Sequence, residues 1–192
     1  MGLKITKEQI AELEQETFEG DIYVIDEVDK VENAVAYLST KQALGFDTET
    51  KPAFRRGQVN NVALLQLATD DKCFLFRLNK IGYPKEIEEL MSDGSIKKIG
   101  LSLRDDFDAL RKRTGKKPDN FIDLQQFVDN YGIEDNSLQK IYAIIFGKKI
   151  SKKQRLTNWE AINLTPAQQS YAAIDAWACL RIYNFLIQTN DR

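Results

Sequence analysis

Apolar residues recur along the chain in short runs, some with the two-residue period of strands and others with the 3.6-residue period of helices. The first kind predicts strands at 22–25, 43–49, 60–69, 72–78 and 96–103. The second kind, together with capping residues, predicts helices at 6–17, 28–40, 83–94, 104–113, 123–131, 137–146 and 165–188. Only Asp70 and Asp71 separate the third strand from the fourth, which predicts a tight hairpin.

The order of these elements predicts an α/β domain. Its mixed sheet is expected to be antiparallel in the first half and parallel in its continuation, with helices on its flanks. The last helix begins with Thr165 as N-cap and Pro166 in the first position. We expect residues 1–20 to form an N-terminal helical extension and residues 21–192 to form the functional domain.

Two carboxylates, Asp47 and Glu49, end the apolar run of the second predicted strand. Side chains alternate along a strand, so these two point to the same side and Thr48 points away. Like charges this close repel each other unless a proton or a cation lies between them. The pair therefore needs a partner from elsewhere in the chain.

Further acids follow the fifth strand and interrupt the last helix. Asp105, Asp106 and Asp108 occupy a first helical turn, where acids also favour the helix dipole. Asp175 lies on an apolar helix face, four residues after Tyr171. A buried aspartate bonded to a neighbouring strand is one explanation, and a metal ligand is the other. Four carboxylates that converge at one end of a sheet can hold two Mg²⁺ ions about 4 Å apart.

Composition narrows the chemistry. The chain has 192 residues, a formal net charge of −2 and no histidine. Histidine-dependent triads and histidine-ligated zinc are therefore excluded, and oxygen ligands point to Mg²⁺ or Mn²⁺. Cys73 and Cys179 show no metal-type spacing, and we find neither a secretory signal nor a membrane-spanning run. We expect a cytoplasmic protein with no membrane partner, of undetermined oligomeric state.

Three segments resemble the motifs of the 3′–5′ exonucleases of the DEDD superfamily, in the branch with tyrosine in the third motif. They read LGFDTETKPAFRRGQVNNVALLQLAT, IKKIGLSLRDDFDAL and LTNWEAINLTPAQQSYAAIDAWACLRIY, and the likeness covers residues 22–188. The resemblance implies a ribonuclease H-like fold, with 21–192 as an exonuclease domain. It also implies two-metal hydrolysis of nucleic-acid 3′ ends to nucleoside 5′-monophosphates.

The resemblance also assigns roles to individual residues. Asp47 would bridge both metals, and Glu49 and Asp175 would complete the site that binds the attacking water. Asp106 would serve the second metal through water, and Tyr171 would orient the nucleophilic water.

The acid of the second motif is counted from a glycine. Family members place it six residues after the position of Gly100, which favours Asp106 over Asp105.

Lysines and arginines cluster in loops that, taken singly, are explained as solvated surface. The expected partner is single-stranded or 3′-recessed nucleic acid, with DNA favoured over RNA. Basic side chains would take phosphates, and Phe54 would either stack on the terminal base or anchor its loop. The candidate substrate-binding residues are Thr48, Phe54, Arg55, Arg56, Lys152, Lys153 and Arg155.

Three other functions are compatible with the sequence. One is ribonuclease D-like RNA 3′-end processing, and another is a non-catalytic nucleic-acid-binding or protein-binding module on the same fold. A small-molecule phosphodiesterase is the third.

Overall fold

The computed structural model describes residues 2–55, 57–113 and 115–190. The strands within these residues are β1 Glu14–Gln15, β2 Asp21–Ile25, β3 Ala43–Thr50, β4 Val62–Ala68, β5 Lys72–Phe76, β6 Lys97–Gly100, β7 Phe121–Asp123 and β8 Lys148–Lys149. The α-helices are α1 Lys7–Ala11, α2 Val31–Leu38, α3 Leu78–Ile81, α4 Lys85–Ser92, α5 Arg104–Arg111, α6 Leu124–Phe127, α7 Leu138–Phe146 and α8 Pro166–Asn190. Short 3₁₀ helices cover Val28–Lys30 and Val128–Tyr131. No helix of this part of the chain has the length and apolar character needed to cross a bilayer.

Six strands form one mixed sheet in the order β2-β5-β4-β3-β6-β7. The central strand β4 pairs antiparallel with β3 on one side and with β5 on the other, whereas β6 and β7 continue the sheet in parallel with β3. The strand β2 pairs in parallel with β5 and forms one edge of this sheet. The mixed sheet predicted from the order of elements is thus confirmed.

Helices cover both faces of this sheet. On one face α2, α4 and α5 pack their apolar sides, including Val35, Leu90 and Leu110, against the sheet. On the other face α8 lies across β3, β4 and β5, with α7 beside it. Cys73 and Cys179 are buried and unpaired among these residues, and the cytoplasmic location inferred from them stays a prediction.

Successive residues of β3 face the two sides of the sheet in turn, one covered by α5 and the other by α8. Leu44 and Phe46 belong to the core on the α5 side. Gly45 faces α8 so closely that an added Cβ would lie 2.0 Å from the Ala176 carbonyl oxygen. Because successive side chains alternate, Asp47 and Glu49 emerge on the α8 side, just beyond this contact.

The helix predicted at 6–17 is too long, because only its first part is helical. Thr6 caps α1, but this helix ends at Ala11 and β1 pairs with β8. The carboxylate of Glu16 is buried against the Tyr142 hydroxyl at 2.7 Å and an Arg181 guanidinium nitrogen at 2.7 Å. This buried network holds the segment extended, which local helix spacing does not reveal. The division of the chain after residue 20 stays a prediction.

Two other predicted elements, the strand at 96–103 and the helix at 123–131, have different bounds in the structure. The predicted strand 96–103 ends at Gly100, and a turn follows in which Ser102 has a positive φ of 59°. The predicted helix 123–131 is preceded by the short strand β7 and then divides into α6 and a 3₁₀ turn. The strands β1, β7 and β8 have two or three residues each, too few to show a period.

We predict that Gly45→Ala destabilises the fold by roughly 1–3 kcal/mol, because the new methyl group forces α8 away from β3. Urea denaturation followed by circular dichroism measures the change. Gly115→Ala is the matched control, since nothing lies within 4 Å of an added Cβ there. Equal stability of both variants would show that the contact at Gly45 tolerates a side chain.

Candidate metal centre

Three of the predicted carboxylates converge where α8 crosses β3. Asp47 and Glu49 project from β3, and Asp175 projects from α8. One carboxylate oxygen from each lies within 4.8 Å of the others. These three oxygens are close enough to share one cation.

The local sequence of α8 sets the position of Asp175. Thr165 and Gln168 form a reciprocal cap, in which the Thr165 amide donates to Gln168 Oε1 at 3.0 Å and the Gln168 amide donates to Thr165 Oγ1 at 3.2 Å. Tyr171 lies one turn before Asp175, and its hydroxyl is close enough to lower the pKa of that carboxyl. The buried Trp159 ring packs beside the Tyr171 ring, with their centroids 5.9 Å apart.

Asp106 reaches the same region from the opposite layer. Only Ala43–Gly45 of β3 pair with β6, so the edge of β3 beyond Gly45 is open to the first turn of α5. The Thr48 hydroxyl donates a hydrogen bond to Asp106 across this edge. Asp106 lies outside the group of three, yet its charge contributes to raising the pKa values of Asp47 and Glu49. Asp105 is exposed.

Sequence reasoning missed the residue that holds the turn before α5. Asp123 accepts the backbone N–H groups of Ser102 and Leu103, both at 3.0 Å, and that of Gln125 at 2.9 Å. These bonds fix the left-handed Ser102 and thereby the start of the helix that carries Asp106. The sequence does offer Asp123 as an acidic N-cap of α6. Its bonds to the Ser102 and Leu103 amides, however, depend on the pairing of β6 with β7.

Loss of solvation raises the pKa of all four carboxyls. The pKa of Glu49 is raised to about 8 and that of Asp175 to about 7. Asp47 has its pKa raised well above the usual range, first by desolvation and then by the charges of Asp175, Glu49 and Asp106. Desolvation raises the pKa of Asp106 to about 6, against the lowering effect of the Thr48 hydrogen bond. The site by itself therefore retains protons near neutral pH.

The donor set fits a hard divalent cation. All its groups are carboxylate oxygens, and the repulsion among Asp47, Glu49 and Asp175 is of the kind that a bound cation cancels.

Positive side chains of the 151–155 loop border the carboxylates. The charge of Arg155 lowers the pKa of Glu49, and that of Lys152 lowers the pKa of Asp175. Both cations line a cavity of about 260 Å³ together with Tyr171 and Asp175. Lys153 lines a neighbouring cleft that also reaches Tyr171. A phosphate in the cavity would therefore meet cations on one side and the acidic cluster on the other.

The other predicted substrate-binding residues differ in their exposure and contacts. Phe54 is 85% exposed and Arg55 is exposed, both on the segment that joins β3 to β4. Thr48 makes the bond to Asp106 described above. Arg56 lies outside the described residues. Their contacts with substrate stay predictions.

Comparison with solved structures defines the class of fold. The ribonuclease D of Escherichia coli superposes with a TM-score of 0.79 at 23% identity, covering 88% of this chain and 45% of that chain. The Nibbler EXO domain of Aedes aegypti also gives 0.79, at 22% identity, covering 90% of this chain and 91% of that chain. The fold is the ribonuclease H-like α/β class expected from the sequence.

Sequence comparison identifies the family. Residues 22–189 match the family described as 3′–5′ exonuclease. The bifunctional 3′–5′ exonuclease/ATP-dependent helicase WRN of Mus musculus is 32% identical over 160 residues, or 80% of this chain and 11% of that protein. The exonuclease 3′–5′ domain-containing protein 2 of Drosophila melanogaster is 33% identical over 154 residues, or 78% of this chain and 26% of that protein. The chain belongs to the 3′–5′ exonuclease family of the DEDD superfamily, and it spans a minor part of these relatives.

We predict that the metal-free protein becomes less thermally stable between about pH 5 and about pH 7.5. A carboxyl whose pKa is raised by folding adds stability that is complete below its unfolded pKa, roughly 4, and is lost as the pH rises through the folded value. No histidine titrates in this window. The upper limit is set by Lys98, because burial lowers its pKa to about 8. Mg²⁺ or Mn²⁺ should raise Tm more at the upper pH, where the carboxylates are ionised.

Scanning calorimetry in chelator and in each cation tests both effects. Asp175→Asn should reduce both the pH dependence of the metal-free Tm and the rise in Tm that the cation causes. Asp105→Asn, at an exposed position on α5, should behave as wild type. A metal-free Tm that is constant across the window would contradict the raised pKa values.

Proposed function

We propose that this protein removes nucleotides from nucleic-acid 3′ ends by metal-dependent hydrolysis and releases nucleoside 5′-monophosphates. The observation that carries the proposal is the convergence of Asp47, Glu49 and Asp175 on one point, beside a cationic cavity, in a chain of the exonuclease family. A non-catalytic module has no need of a desolvated carboxylate cluster, which costs stability when it is empty. This argument favours the enzyme over the binding module.

Each carboxylate has a distinct part in this proposal. The charges of all three other carboxylates act on Asp47, which would contact both of two Mg²⁺ or Mn²⁺ ions, while Glu49 and Asp175 would complete one position. Asp106, held by Thr48, would serve the other position through water. Two bound cations supply a lowered pKa for the attacking water and charge stabilisation for the leaving oxygen.

Tyr171 would hold the attacking water, which is the arrangement of the tyrosine branch of the superfamily. Burial and the nearby carboxylates raise the pKa of its hydroxyl above the ordinary value of about 10, so the phenol stays protonated. It therefore acts by orientation and hydrogen bonding rather than as a base. Trp159 packs beside the ring, and the helical spacing brings the hydroxyl near the Asp175 carboxyl.

The substrate proposal rests on the position of the cations. Arg155 and Lys152 border the acidic cluster and would neutralise phosphates of the strand, while Phe54 is exposed enough to stack on a base.

Both DNA and RNA are candidate substrates of the proposed exonuclease. One neighbour of similar fold is the Trypanosoma brucei ribonuclease D in complex with RNA U12, with a TM-score of 0.78. The preference for DNA over RNA expected from the sequence has no support in these comparisons. Ribonuclease D-like RNA trimming is accordingly the second candidate function.

A 5′-labelled oligonucleotide assay tests the activity. We predict a ladder of shortened products from single strands, loss of activity in EDTA, and recovery with Mg²⁺ or Mn²⁺. Matched DNA and RNA strands in the same assay decide the polymer, and a circular single strand serves as the control for endonuclease action. Cleavage of the circle, or a full ladder in excess chelator, would contradict the proposal.

We predict that Tyr171→Phe lowers turnover by roughly 10²–10⁴-fold, the range for a positioned proton-handling group, while Tm and Mn²⁺ affinity stay near wild type. The matched control is Tyr183→Phe, the same change on the same helix away from the carboxylates. Wild-type turnover by the Tyr171 variant would assign this ring to packing alone.

A further inference from the structure

A glutamine in the middle of β4 has no partner for its amide group. Gln66 is fully buried. Within the described part of the chain, neither its Nε2 nor its Oε1 makes a hydrogen bond. Buried side-chain amides are normally bonded, so an amide unpaired at both atoms calls for an explanation.

The strand register places this amide beside the metal centre. Gln66 is the residue directly opposite Asp47 in the antiparallel pair of β3 and β4. Directly opposite residues point to the same face, with Cβ atoms about 4.5–5.5 Å apart. Gln66 therefore lies on the α8 side of the sheet, next to Asp47 of the carboxylate group.

Packing alone does not account for a glutamine there. Its neighbours on the same face of β4 are Leu64 and Ala68, and its partner across β5 is Leu75; all three belong to the apolar core. A leucine or methionine would fill such a position without burying polar atoms. The glutamine is the exception on an otherwise apolar surface, and the polar group directly opposite it is Asp47.

We propose that Gln66 is a positioning residue for the metal centre, whose amide nitrogen donates to the Asp47 carboxylate when a divalent cation is bound. The inference rests on the proposed metal-dependent function. A carboxylate has about four lone-pair sites, so Asp47 can bind cations on one side and accept an N–H on the other. The hydrogen bond fixes the orientation of the carboxylate, as partners of metal ligands commonly do.

This role predicts two effects of opposite sign. Gln66→Leu removes two unpartnered polar atoms from the core, so the metal-free protein should keep or raise its Tm. The same change removes the donor to Asp47, so the affinity for Mn²⁺ should fall by roughly 10-fold or more. A residue that only supports the fold would lower Tm and leave the affinity unchanged.

The experiment uses the whole chain with Mn²⁺ alone as the probe. Scanning calorimetry in chelator gives the metal-free Tm, and isothermal titration calorimetry gives the Mn²⁺ affinity. The variants are Gln66→Leu and Gln66→Met, and Leu64→Met on the same strand face is the control expected to match wild type. In the oligonucleotide assay, excess Mn²⁺ should restore turnover of the Gln66 variants in large part.

The outcomes are distinguishable. Weaker Mn²⁺ binding with an unchanged or raised metal-free Tm supports the proposal. Wild-type affinity in both variants overturns it and leaves the exonuclease function standing. Failure of both variants to fold without metal would assign Gln66 to the fold and overturn it as well. Absence of Mn²⁺ binding by the wild-type protein would overturn the metal centre itself, and this inference with it.

Discussion

The close approach of α8 to β3 is the constraint on which the site depends. At Gly45 the helix backbone rests on the strand with no side chain between them. Directly before Ala176 the helix carries Asp175, and two residues beyond Gly45 the strand carries Asp47. Any larger residue at position 45 would separate these carboxylates, because it would lift the whole helix.

The close contact of α8 with β3 places the carboxylates of Asp47, Glu49 and Asp175 inside a packed core. The surrounding residues on the α8 side are alanines, leucines and aromatic rings, so the carboxylates lose solvation without gaining enough donors. Their raised pKa values express that deficit, and cations from the 151–155 loop offset only part of it. The structure thus keeps a local electrostatic cost at the point where a cation and a phosphodiester are expected to meet.

The sequence predicts those parts of this arrangement that depend on local periodicity. The central strands and α8 are long enough to show their period, and the i, i+2 and i, i+4 spacings placed Asp47 with Glu49 and Tyr171 with Asp175. The short strands β7 and β8 carry no period, and a buried ion network overrides the helical pattern after Ala11. The clamp at Asp123 and the orphaned amide of Gln66 follow from strand register, which a single sequence does not contain.

The open edge of β3 has a mechanical consequence. Asp47, Glu49 and Asp175 belong to a central strand and a 25-residue helix, which form a stiff half of the site. Asp106 belongs to the opposite layer and is joined to the strand through the Thr48 hydroxyl and through a turn held by Asp123. The two halves are thus linked by side-chain hydrogen bonds across the sheet edge rather than by backbone pairing. In the proposed enzyme, the cation position served by Asp106 would therefore depend on side-chain contacts, and the position served by Glu49 and Asp175 on the packed strand and helix.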